Sequence, residues 1–260
     1  MECRLDGRTA LVTGGSKGLG LAIAREFARS GANVALVARN EADLASARAT
    51  IDEESDARVA CYSCDVSNDE DIGRTFERIV AEFSTVDILV NNAGSSMGGP
   101  FESMSDEDWQ NDFDLKVMAA VRFSRLAMPL MRERQWGRIL NTLNVYAKTP
   151  IANSLPTTAS RAAGMALTKV LAHEGAADNI LVNALCIGVI QSEQMSGQSR
   201  GEKYDSHMRR TMDKLLGEIP MGRIGRPEEL ANLACFLCSD KASYITGTAI
   251  NVDGGLAPAV

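Results

Sequence analysis

A glycine-rich turn follows the first apolar segment of the chain and has the composition of a phosphate-binding loop. It reads Thr-Gly-Gly-Ser-Lys-Gly-Leu-Gly over residues 13–20, and an amphipathic segment begins at its end. Glycines let the backbone turn sharply and approach a pyrophosphate, while the following helix offers free N–H groups and the positive end of its dipole. The turn therefore predicts a dinucleotide site rather than a purely structural turn. Its candidate cofactor-binding residues are Gly14, Ser16, Lys17, Gly18, Leu19 and Gly20.

The residues after the second apolar segment indicate which nicotinamide cofactor this turn would hold. NAD-type sites place an acidic residue there to hold the ribose 2′-hydroxyl, but this chain reads Ala38-Arg39-Asn40. A guanidinium pairs well with a 2′-phosphate, and Lys17 would add a second positive charge. The sequence therefore favours NADP over NAD. The alternative is that Arg39 stacks on the adenine or faces solvent.

Strand-type and helix-type patterns alternate along the chain. The predicted strands are 9–12, 33–38, 59–65, 88–91, 138–141, 181–185 and 249–252, and the predicted helices are 19–29, 41–54, 69–83, 105–128, 158–174 and 228–239. This alternation predicts an α/β fold, a single-domain Rossmann-type doubly wound parallel sheet of about seven strands with helices on both faces. We expect one domain over residues 1–260, with a substrate lid at about 188–225 that contains a short helix.

Composition and charge argue against several functional classes. The chain has 260 residues and a formal net charge of −7, with 45% hydrophobic and 5% aromatic residues. Interspersed charges and few aromatics are untypical of nucleic-acid binding. No apolar run approaches the length of a membrane span, and the N-terminal segment lacks the apolar region of a signal peptide. We therefore expect a cytoplasmic protein with a small-molecule substrate and neither a nucleic-acid nor a membrane partner.

Two pairs of cysteines have the C-x-x-C spacing that also occurs in zinc sites. A zinc site would need all four sulfurs to converge. Cys61 and Cys64 lie in a predicted strand, where residues three apart point to opposite faces, and Cys235 and Cys238 lie in a predicted helix. We therefore interpret them as small buried apolar side chains and predict no metal site.

The glycine turn and five later motifs resemble the short-chain dehydrogenase/reductase family. The turn has that family's Thr-Gly-x-x-x-Gly-x-Gly form. The later motifs follow in the family's order along nearly the whole chain: Asp65-Val66, Asn91-Asn92-Ala93-Gly94, Gly137-Arg138-Ile139 with Asn141, Arg226-Pro227-Glu228-Glu229 and Val252-Asp253-Gly254-Gly255. The resemblance implies a nicotinamide cofactor, a carbonyl or alcohol substrate, and a homotetramer with one dimer seam formed by helices at about 106–128 and 158–174.

The resemblance also implies further cofactor contacts. The motif after the third strand matches the pair that contacts adenine in the family. In the loop after the sixth strand, Ser192 keeps a hydroxyl where the family has a threonine that touches the nicotinamide carboxamide. The cofactor-binding candidates added in this way are Asp65, Val66, Asn92, Ala93, Gly94, Arg161, Gly188, Ile190 and Ser192.

All four of the family's usual catalytic positions are occupied by other residues. The family uses Tyr-x-x-x-Lys, and the surrounding sequence aligns Thr157 with the tyrosine and Arg161 with the lysine. Asn144 stands in place of the family's serine, and Lys116 stands in place of its asparagine. No Tyr-x-x-x-Lys occurs anywhere in the chain, so the departure does not depend on the alignment.

These substitutions change the chemistry that the site can perform. Carbonyl reduction needs a hydride donor and an acid for the developing alkoxide. Thr157 is a far weaker acid than a phenol. Arg161 can hold the nicotinamide ribose but cannot relay a proton, whereas Asn144 can still donate to a substrate oxygen. We therefore expect weak hydride transfer to ordinary ketones unless another donor takes the place of the tyrosine.

Two nearby side chains are candidates for that donor. A buried Lys116 would lose its proton readily, and Tyr146 carries a phenol just beyond the fifth strand. The alternative for Lys116 is a salt bridge to a carboxylate such as Asp112 or Asp114. The alternative for Tyr146 is an ordinary aromatic at the rim of the site. The catalytic candidates are Asn144, Thr157, Arg161, Lys116 and Tyr146.

The sequence as a whole predicts an NADP(H)-dependent oxidoreductase that acts on a carbonyl or alcohol in a non-standard active site. The glycine turn is intact and the substituted positions remain polar or charged, which favours a working site. Two alternatives remain open. One is an NADP-binding protein without redox turnover, acting as a sensor or subunit, and the other is a non-redox enzyme that uses the same pocket.

Overall fold

Seven parallel strands form one sheet in the computed structural model, which describes residues 2–191 and 217–260. They are β1 (Thr9–Thr13), β2 (Asn33–Ala38), β3 (Val59–Ser63), β4 (Ile88–Asn91), β6 (Gly137–Asn144), β8 (Ile180–Ile187) and β9 (Ala249–Val252), and a separate hairpin pairs β5 (Gly98–Gly99) with β7 (Leu155–Pro156). The sheet order is β3-β2-β1-β4-β6-β8-β9. The order therefore reverses between β1 and β4, where sheets of this kind open a crevice for ligands.

Helices cover both faces of the sheet, as predicted. They are α1 (Gly18–Arg29), α2 (Glu41–Asp52), α3 (Asp69–Phe83), α4 (Asp106–Phe113), α5 (Ala119–Glu133), α6 (Thr157–Gly175) and α7 (Pro227–Cys238). One apolar core lies between the sheet and α1, α2 and α7, and a second lies between the sheet and α3, α5 and α6. Because both faces are buried, the central strands are almost continuously apolar. The Rossmann-type doubly wound fold is confirmed.

The helical segment after residue 105 differs from the prediction at its C-terminal end. It begins at the predicted capping box, in which Ser105 Oγ accepts from the backbone N–H of Asp108 at 3.2 Å. The prediction that it ends before Pro129 is wrong, since α5 continues through Pro129 to Glu133. Proline removes one helical hydrogen bond, but Met131 beyond it is fully buried in the core, and this packing keeps the helix intact.

Strands β6 and β8 are longer than their apolar patterns indicated. They pair continuously from Gly137 opposite Ile180 to Asn144 opposite Ile187. The sequence predicted only residues 138–141 and 181–185. In β6 the polar residues Asn141, Thr142 and Asn144 interrupt the apolar pattern before the strand ends, whereas Cys186 and Ile187 continue the apolar pattern of β8. The extension places Asn144 at the carboxyl end of β6, on the edge of the sheet where the glycine turn also lies.

The predicted lid is described only at its two ends. Residues 192–216 lie outside the described ranges, and with them Ser192 and the expected short helix. The two ends meet, because the backbone N–H of Gln191 donates to the carbonyl of Gly225 at 2.9 Å and the N–H of Gly225 donates to Val189 at 3.0 Å. The single domain over residues 1–260 stays a prediction.

Of the four cysteines interpreted as buried, Cys64, Cys235 and Cys238 are buried, whereas Cys61 is only partly buried. Cys186 is also buried, Cys3 is partly exposed, and all six are free thiols. Within residues 2–191 and 217–260, no group of three or more potential ligands could hold a metal ion. In the same ranges, no helix has both the length and the apolar character needed to cross a membrane.

Candidate active site

The glycine turn joins β1 to α1 and is fixed to the end of β4. Thr13 Oγ1 accepts hydrogen bonds from the backbone N–H groups of Asn92 and Ala93, both at 3.0 Å. The Asn92 side-chain amide donates back to the Thr13 carbonyl at 3.1 Å. Gly14 has a φ of 63°, which favours glycine, and a Cβ at Gly20 would overlap the carbonyl oxygen of Gly14. The turn therefore depends on glycine at both positions.

This turn forms a cradle that fits the phosphates of a dinucleotide. Helix α1 begins at Gly18, and its N-cap residue Lys17 makes no side-chain hydrogen bond to the first turn. The first N–H groups of α1 are therefore not capped by a side chain, which is what a helix N terminus that binds phosphate requires. Ser16 and Leu19 lie within the turn and are partly buried. The cradle sits at the reversal of strand order, the usual ligand position in such sheets.

At the end of β2, Arg39 is the cation that fits a 2′-phosphate. It is exposed and forms no ion pair with any residue that the structure describes. It lies near Asp65, whose pKa is lowered mainly by hydrogen bonds from the side chain and backbone of Ser67 and further by the charge of Arg39. Lys17, the other expected cation, instead forms an ion pair with Asp43 at 2.9 Å, so its charge is already partly neutralised.

Two of the implied cofactor contacts have side chains that face the core. Val66 and Ile190 are 5% and 6% exposed and pack within the two apolar cores, so only their backbone groups are available to a ligand. Gly188 donates its backbone N–H to Val252 at 3.0 Å. A Cβ at Gly188 would lie 2.6 Å from that of Asp253, which explains the need for glycine here.

A buried cluster of polar side chains lies where α4 and α5 meet α6. Asp112 and Lys116 form an ion pair one helical turn apart, and each side chain is only 1% exposed. Lys116 Nζ donates to Thr157 Oγ1 at 2.7 Å, and the same oxygen accepts from the backbone N–H of Met97 at 3.0 Å. Asp112 also accepts from the hydroxyl groups of Thr157 at 3.3 Å and Ser160 at 2.6 Å. One carboxylate thus holds three side chains together.

The alternative interpretation of Lys116, a salt bridge to Asp112, is therefore confirmed. Burying two charges costs several kcal/mol unless their hydrogen-bonding capacity is satisfied. Ser160 and Thr157 supply the additional donors to Asp112 that this burial needs. The sequence analysis missed Ser160, although its position three residues after Thr157 puts both hydroxyl groups on one face of a helix.

A π-helical turn at Asp114–Met118 links α4 to α5 and carries Lys116. This turn packs against α6, the helix that begins at Thr157. Single π turns inside longer helices occur frequently at functional sites. No pattern in the sequence indicated this turn.

Burial alters the proton affinity of Lys116. Removal of the ammonium from water lowers its pKa from the usual 10.5 to about 8. The hydrogen bond to Asp112 opposes this change, and the nearby charge of Arg161 adds to it. Around pH 8 the side chain is therefore present as both ammonium and amine, which an exposed lysine is not.

Arg161 is held by a hydrogen bond to the backbone of β6 and passes close to Gly94. Its Nη1 donates to the Thr142 carbonyl at 2.6 Å, and its guanidinium passes beside Gly94, where a Cβ would come within 2.7 Å of Nη2. Burial lowers the pKa of the guanidinium to about 10, so that it stays charged at neutral pH. Because Gly94 has no side chain, the guanidinium can reach the end of β4.

A small cavity of about 10 Å³ lies beside these groups, with room for roughly one water-sized group. Its lining includes Thr13, Ala93, Lys116 and Arg161. Arg161 Nε and Asn91 Oδ1, both on lining residues, are buried without a hydrogen-bond partner in the described part of the chain. Such groups fit a polar ligand, because a buried unpaired donor or acceptor is costly to leave unsatisfied.

The two remaining catalytic candidates are separate from the buried cluster. Asn144 ends β6, and its side-chain Oδ1 is buried without a partner among the described residues. Tyr146 packs against an apolar group that contains Leu143 and Cys186, and burial raises the pKa of its phenol. The structure thus brings Lys116, Thr157 and Arg161 to one place but does not bring Tyr146 into contact with them.

Comparison with known proteins identifies the family. A family model described as enoyl-(acyl carrier protein) reductase matches residues 14–257, nearly the whole chain. The chain belongs to the short-chain dehydrogenase/reductase family. The matched range includes the glycine turn from Gly14 onward and all residues of the polar cluster.

Three relatives within the family are similar over almost their full length. The 3beta-hydroxysteroid dehydrogenase 1 of Eggerthella lenta is 38% identical, covering 97% of this chain and 94% of the relative. The L-sorbose reductase of Gluconobacter frateurii, solved with NADPH and L-sorbose, has a TM-score of 0.94 and 35% identity, with all of both chains covered. YwfH, an NADPH-dependent reductase involved in bacilysin biosynthesis, has a TM-score of 0.90 and 30% identity, covering 97% and 99%.

Proposed function

We propose that this chain is an NADP(H)-dependent oxidoreductase that interconverts a carbonyl and an alcohol in a non-standard active site. One observation carries the proposal. Thr13 and Ala93, at the end of the cofactor cradle, line the same cavity as Lys116 and Arg161. A dinucleotide in the cradle would therefore place its reactive end beside the buried polar cluster. When bound, the cofactor supplies or accepts a hydride.

NADP is the preferred cofactor because Arg39 stands at the end of β2, where a 2′-phosphate would lie, and forms no ion pair with the described residues. Two structural relatives, the sorbose reductase and YwfH, are described with NADPH. The proposed cofactor contacts, in chain order, are Gly14, Ser16, Lys17, Gly18, Leu19, Gly20, Arg39, Asp65, Val66, Asn92, Ala93, Gly94, Arg161, Gly188, Ile190 and Ser192.

The active site departs from the family pattern at all four usual catalytic positions, which Lys116, Asn144, Thr157 and Arg161 occupy. The replacements interact with one another: Lys116 donates to Thr157, and the charge of Arg161 lowers the pKa of Lys116. If the catalytic residues had been lost one by one without selection, the replacing side chains would have no reason to contact one another. Their mutual contacts therefore support a rebuilt site.

Within this site the fixed side chains have separate roles. Arg161, held by the Thr142 carbonyl, provides a permanent charge and an unpaired Nε for the nicotinamide ribose. The side-chain amide of Asn144 is a donor for the oxygen on which charge develops. Thr157 occupies the position of the family's acid, but its aliphatic hydroxyl cannot by itself replace a phenol.

A second candidate function is cofactor binding without turnover, as in a sensor or subunit. One observation favours it. Thr157 Oγ1 accepts from Met97 and Lys116 and donates to Asp112, so in this arrangement its proton is not free for a substrate. A protein that only binds the cofactor would need no further rearrangement of this hydroxyl.

Cofactor titration followed by turnover assays separates the two candidates. Binding of NADPH and NADH is followed by nicotinamide fluorescence, and NADPH consumption is then measured with a panel of ketones, aldehydes, keto acids and acyl thioesters. We expect tighter binding of NADPH and consumption with at least one carbonyl class. Tight NADPH binding with no consumption supports the second candidate, and binding of neither cofactor contradicts both.

A further inference from the structure

We propose that Lys116 is the proton source of this active site and that the Thr157 hydroxyl passes its proton to the substrate oxygen, with Asp112 and Ser160 as positioning residues. This inference rests on the proposed reductase function and specifies how its acid step is performed. The interaction that carries it is the 2.7 Å hydrogen bond from Lys116 Nζ to Thr157 Oγ1.

Geometry restricts what each of the two groups can do alone. The side chain of Lys116 is 1% exposed and borders the small cavity beside Arg161, and its Nζ donates to Asp112 and to Thr157 Oγ1. Thr157 stands at the position from which the family's acid acts, but an aliphatic hydroxyl does not release its proton unless it receives another at the same time. A lysine ammonium in direct contact with that oxygen supplies the second proton. The pair can therefore do together what neither residue can do alone.

The proton transfer balances as follows. In the reduction direction, the carbonyl carbon gains the hydride and its oxygen becomes an alkoxide. The Thr157 hydroxyl, which donates to Asp112 at 3.3 Å in the structure, turns from that carboxylate to the alkoxide. Its O–H bond breaks and its proton joins the alkoxide oxygen, while a proton from the Lys116 ammonium restores the hydroxyl. The substrate is reduced, the dinucleotide is oxidised, and Lys116 is left as a neutral amine that regains a proton from solvent.

Asp112 and Ser160 set the position and proton affinity of Lys116. The carboxylate binds the ammonium, and Ser160 holds the other carboxylate oxygen at 2.6 Å. The hydrogen bond to Asp112 stabilises the charged form, whereas burial and Arg161 favour the neutral form. Since these opposing effects leave the pKa at about 8, the amine can both give up and recover a proton near neutral pH.

The first test measures the protonation of Lys116 in the absence of any reaction. NMR titration of protein labelled at the lysine ε-carbon, with Lys116→Met used to assign the signal, follows its protonation directly. We expect one lysine resonance that titrates near pH 8 in wild type and is missing in Lys116→Met. In Asp112→Asn the same resonance should titrate at lower pH, because the stabilising carboxylate is gone. Titration of Lys116 at the pH of an exposed lysine would overturn the proposal.

The second test uses single-turnover reduction of a carbonyl that the wild type consumes. We expect the rate to fall above about pH 8, and Lys116→Met to lose about 10²–10⁴-fold and to lack this pH dependence. Asp112→Asn should move the fall to lower pH. The rate of Thr157→Val should fall as much as that of Lys116→Met. The rate of Thr157→Ser, which keeps a hydroxyl, should stay within about tenfold of the wild-type rate. Lys241→Met, at an exposed lysine, should behave like wild type.

The outcomes distinguish this inference from the proposed function. If Lys116→Met leaves an uncompensated carboxylate and fails to fold, the double variant Asp112→Asn/Lys116→Met removes both charges and should fold but remain slow. If the wild type turns over and a folded variant without Lys116 has the same rate, the role of Lys116 is overturned while the proposed function stands. An unchanged rate in Thr157→Val overturns the relay. Absence of turnover in wild type with NADPH bound contradicts the proposed function and the proton transfer together.

Discussion

At the scale of single residues, burial gives Lys116 properties that its sequence position does not reveal. The residue type is ordinary, but enclosure between α4, α5 and α6 shifts its proton affinity toward neutral pH. Arg161, also shifted, stays charged because a guanidinium begins from a much higher pKa. Two cations therefore lie close together with different functions, one able to exchange a proton and the other fixed in charge.

The lowered pKa of Lys116 predicts a pH-dependent difference in stability. Below about pH 8 Lys116 is protonated in both the folded and unfolded states, and the folded state carries the cost of a buried charge. Between about pH 8 and 10.5 the folded state releases this proton first, so the free energy of unfolding rises by about 1–3 kcal/mol relative to a variant without the lysine. Urea unfolding of wild type and Asp112→Asn/Lys116→Met at pH 7 and pH 10 measures this difference. The same difference at both pH values would contradict the lowered pKa.

Arg39, at the end of β2, is expected to set the preference for NADPH over NADH. Arg39→Asp should weaken NADPH binding by about 1–3 kcal/mol, because a charge-assisted contact with the 2′-phosphate is lost. NADH binding, which involves no such phosphate, should change little. Fluorescence titration with both cofactors measures the effect, and Arg78→Asp on the exposed side of α3 is the matched control. Equal losses for both cofactors would show that Arg39 does not contact the phosphate.

At the scale of elements, the glycine turn and the α4–α5 segment position the two halves of the site. Short-range signals predicted the turn, the capping box at Ser105 and the end of β2, because each depends on a few adjacent residues. The π turn, the continuation of α5 past Pro129 and the carboxylate shared by Lys116, Thr157 and Ser160 were not predictable. They depend on packing between segments distant in the chain, which periodicity does not record.

Gly20 allows a direct test of the turn. Gly20→Ala places a Cβ against the Gly14 carbonyl and the Asn92 amide, so the turn must move and NADPH binding should fall at least tenfold. Gly73 in α3 is the matched control, since a Cβ there meets nothing within 4 Å. Gly73→Ala should bind NADPH like wild type and gain about 0.5–1 kcal/mol in unfolding free energy. Wild-type NADPH affinity in Gly20→Ala would contradict the cradle.

Restoring the family's ketone chemistry should require at least three residues to change together. Thr157→Tyr with Arg161→Lys returns the phenol and its lysine, but the head of Lys116 lies 2.7 Å from Thr157 Oγ1 and limits the space for a ring. We therefore expect measurable NADPH-dependent ketone reduction only when Lys116→Asn is added, with a further gain from Asn144→Ser. Assay of the double, triple and quadruple variants on one ketone tests this. Ketone reduction by the double variant at the rate of the triple variant would contradict it.

At the scale of the whole molecule, α5 and α6 expose apolar side chains that a monomer would leave in water. Leu126 on α5 is 36% exposed and Val170 on α6 is 55% exposed. These helices correspond to the dimer seam that the family resemblance implies, so we predict a homotetramer. Val170→Glu should lower the mass measured by light scattering at micromolar concentration, whereas Ile151→Glu, at another exposed apolar residue, should not. A monomeric wild type would contradict the assembly.

Transfer of deuterium from NADPH labelled at the nicotinamide C4 position tests the central claim most directly. Wild-type protein is incubated with each deuterated epimer and with a carbonyl substrate from the panel, and the alcohol is analysed by mass spectrometry. We expect the label from one epimer to appear on the carbinol carbon, with the yield falling above about pH 8 as Lys116 loses its proton. Saturating NADPH binding with no label in any product would contradict it.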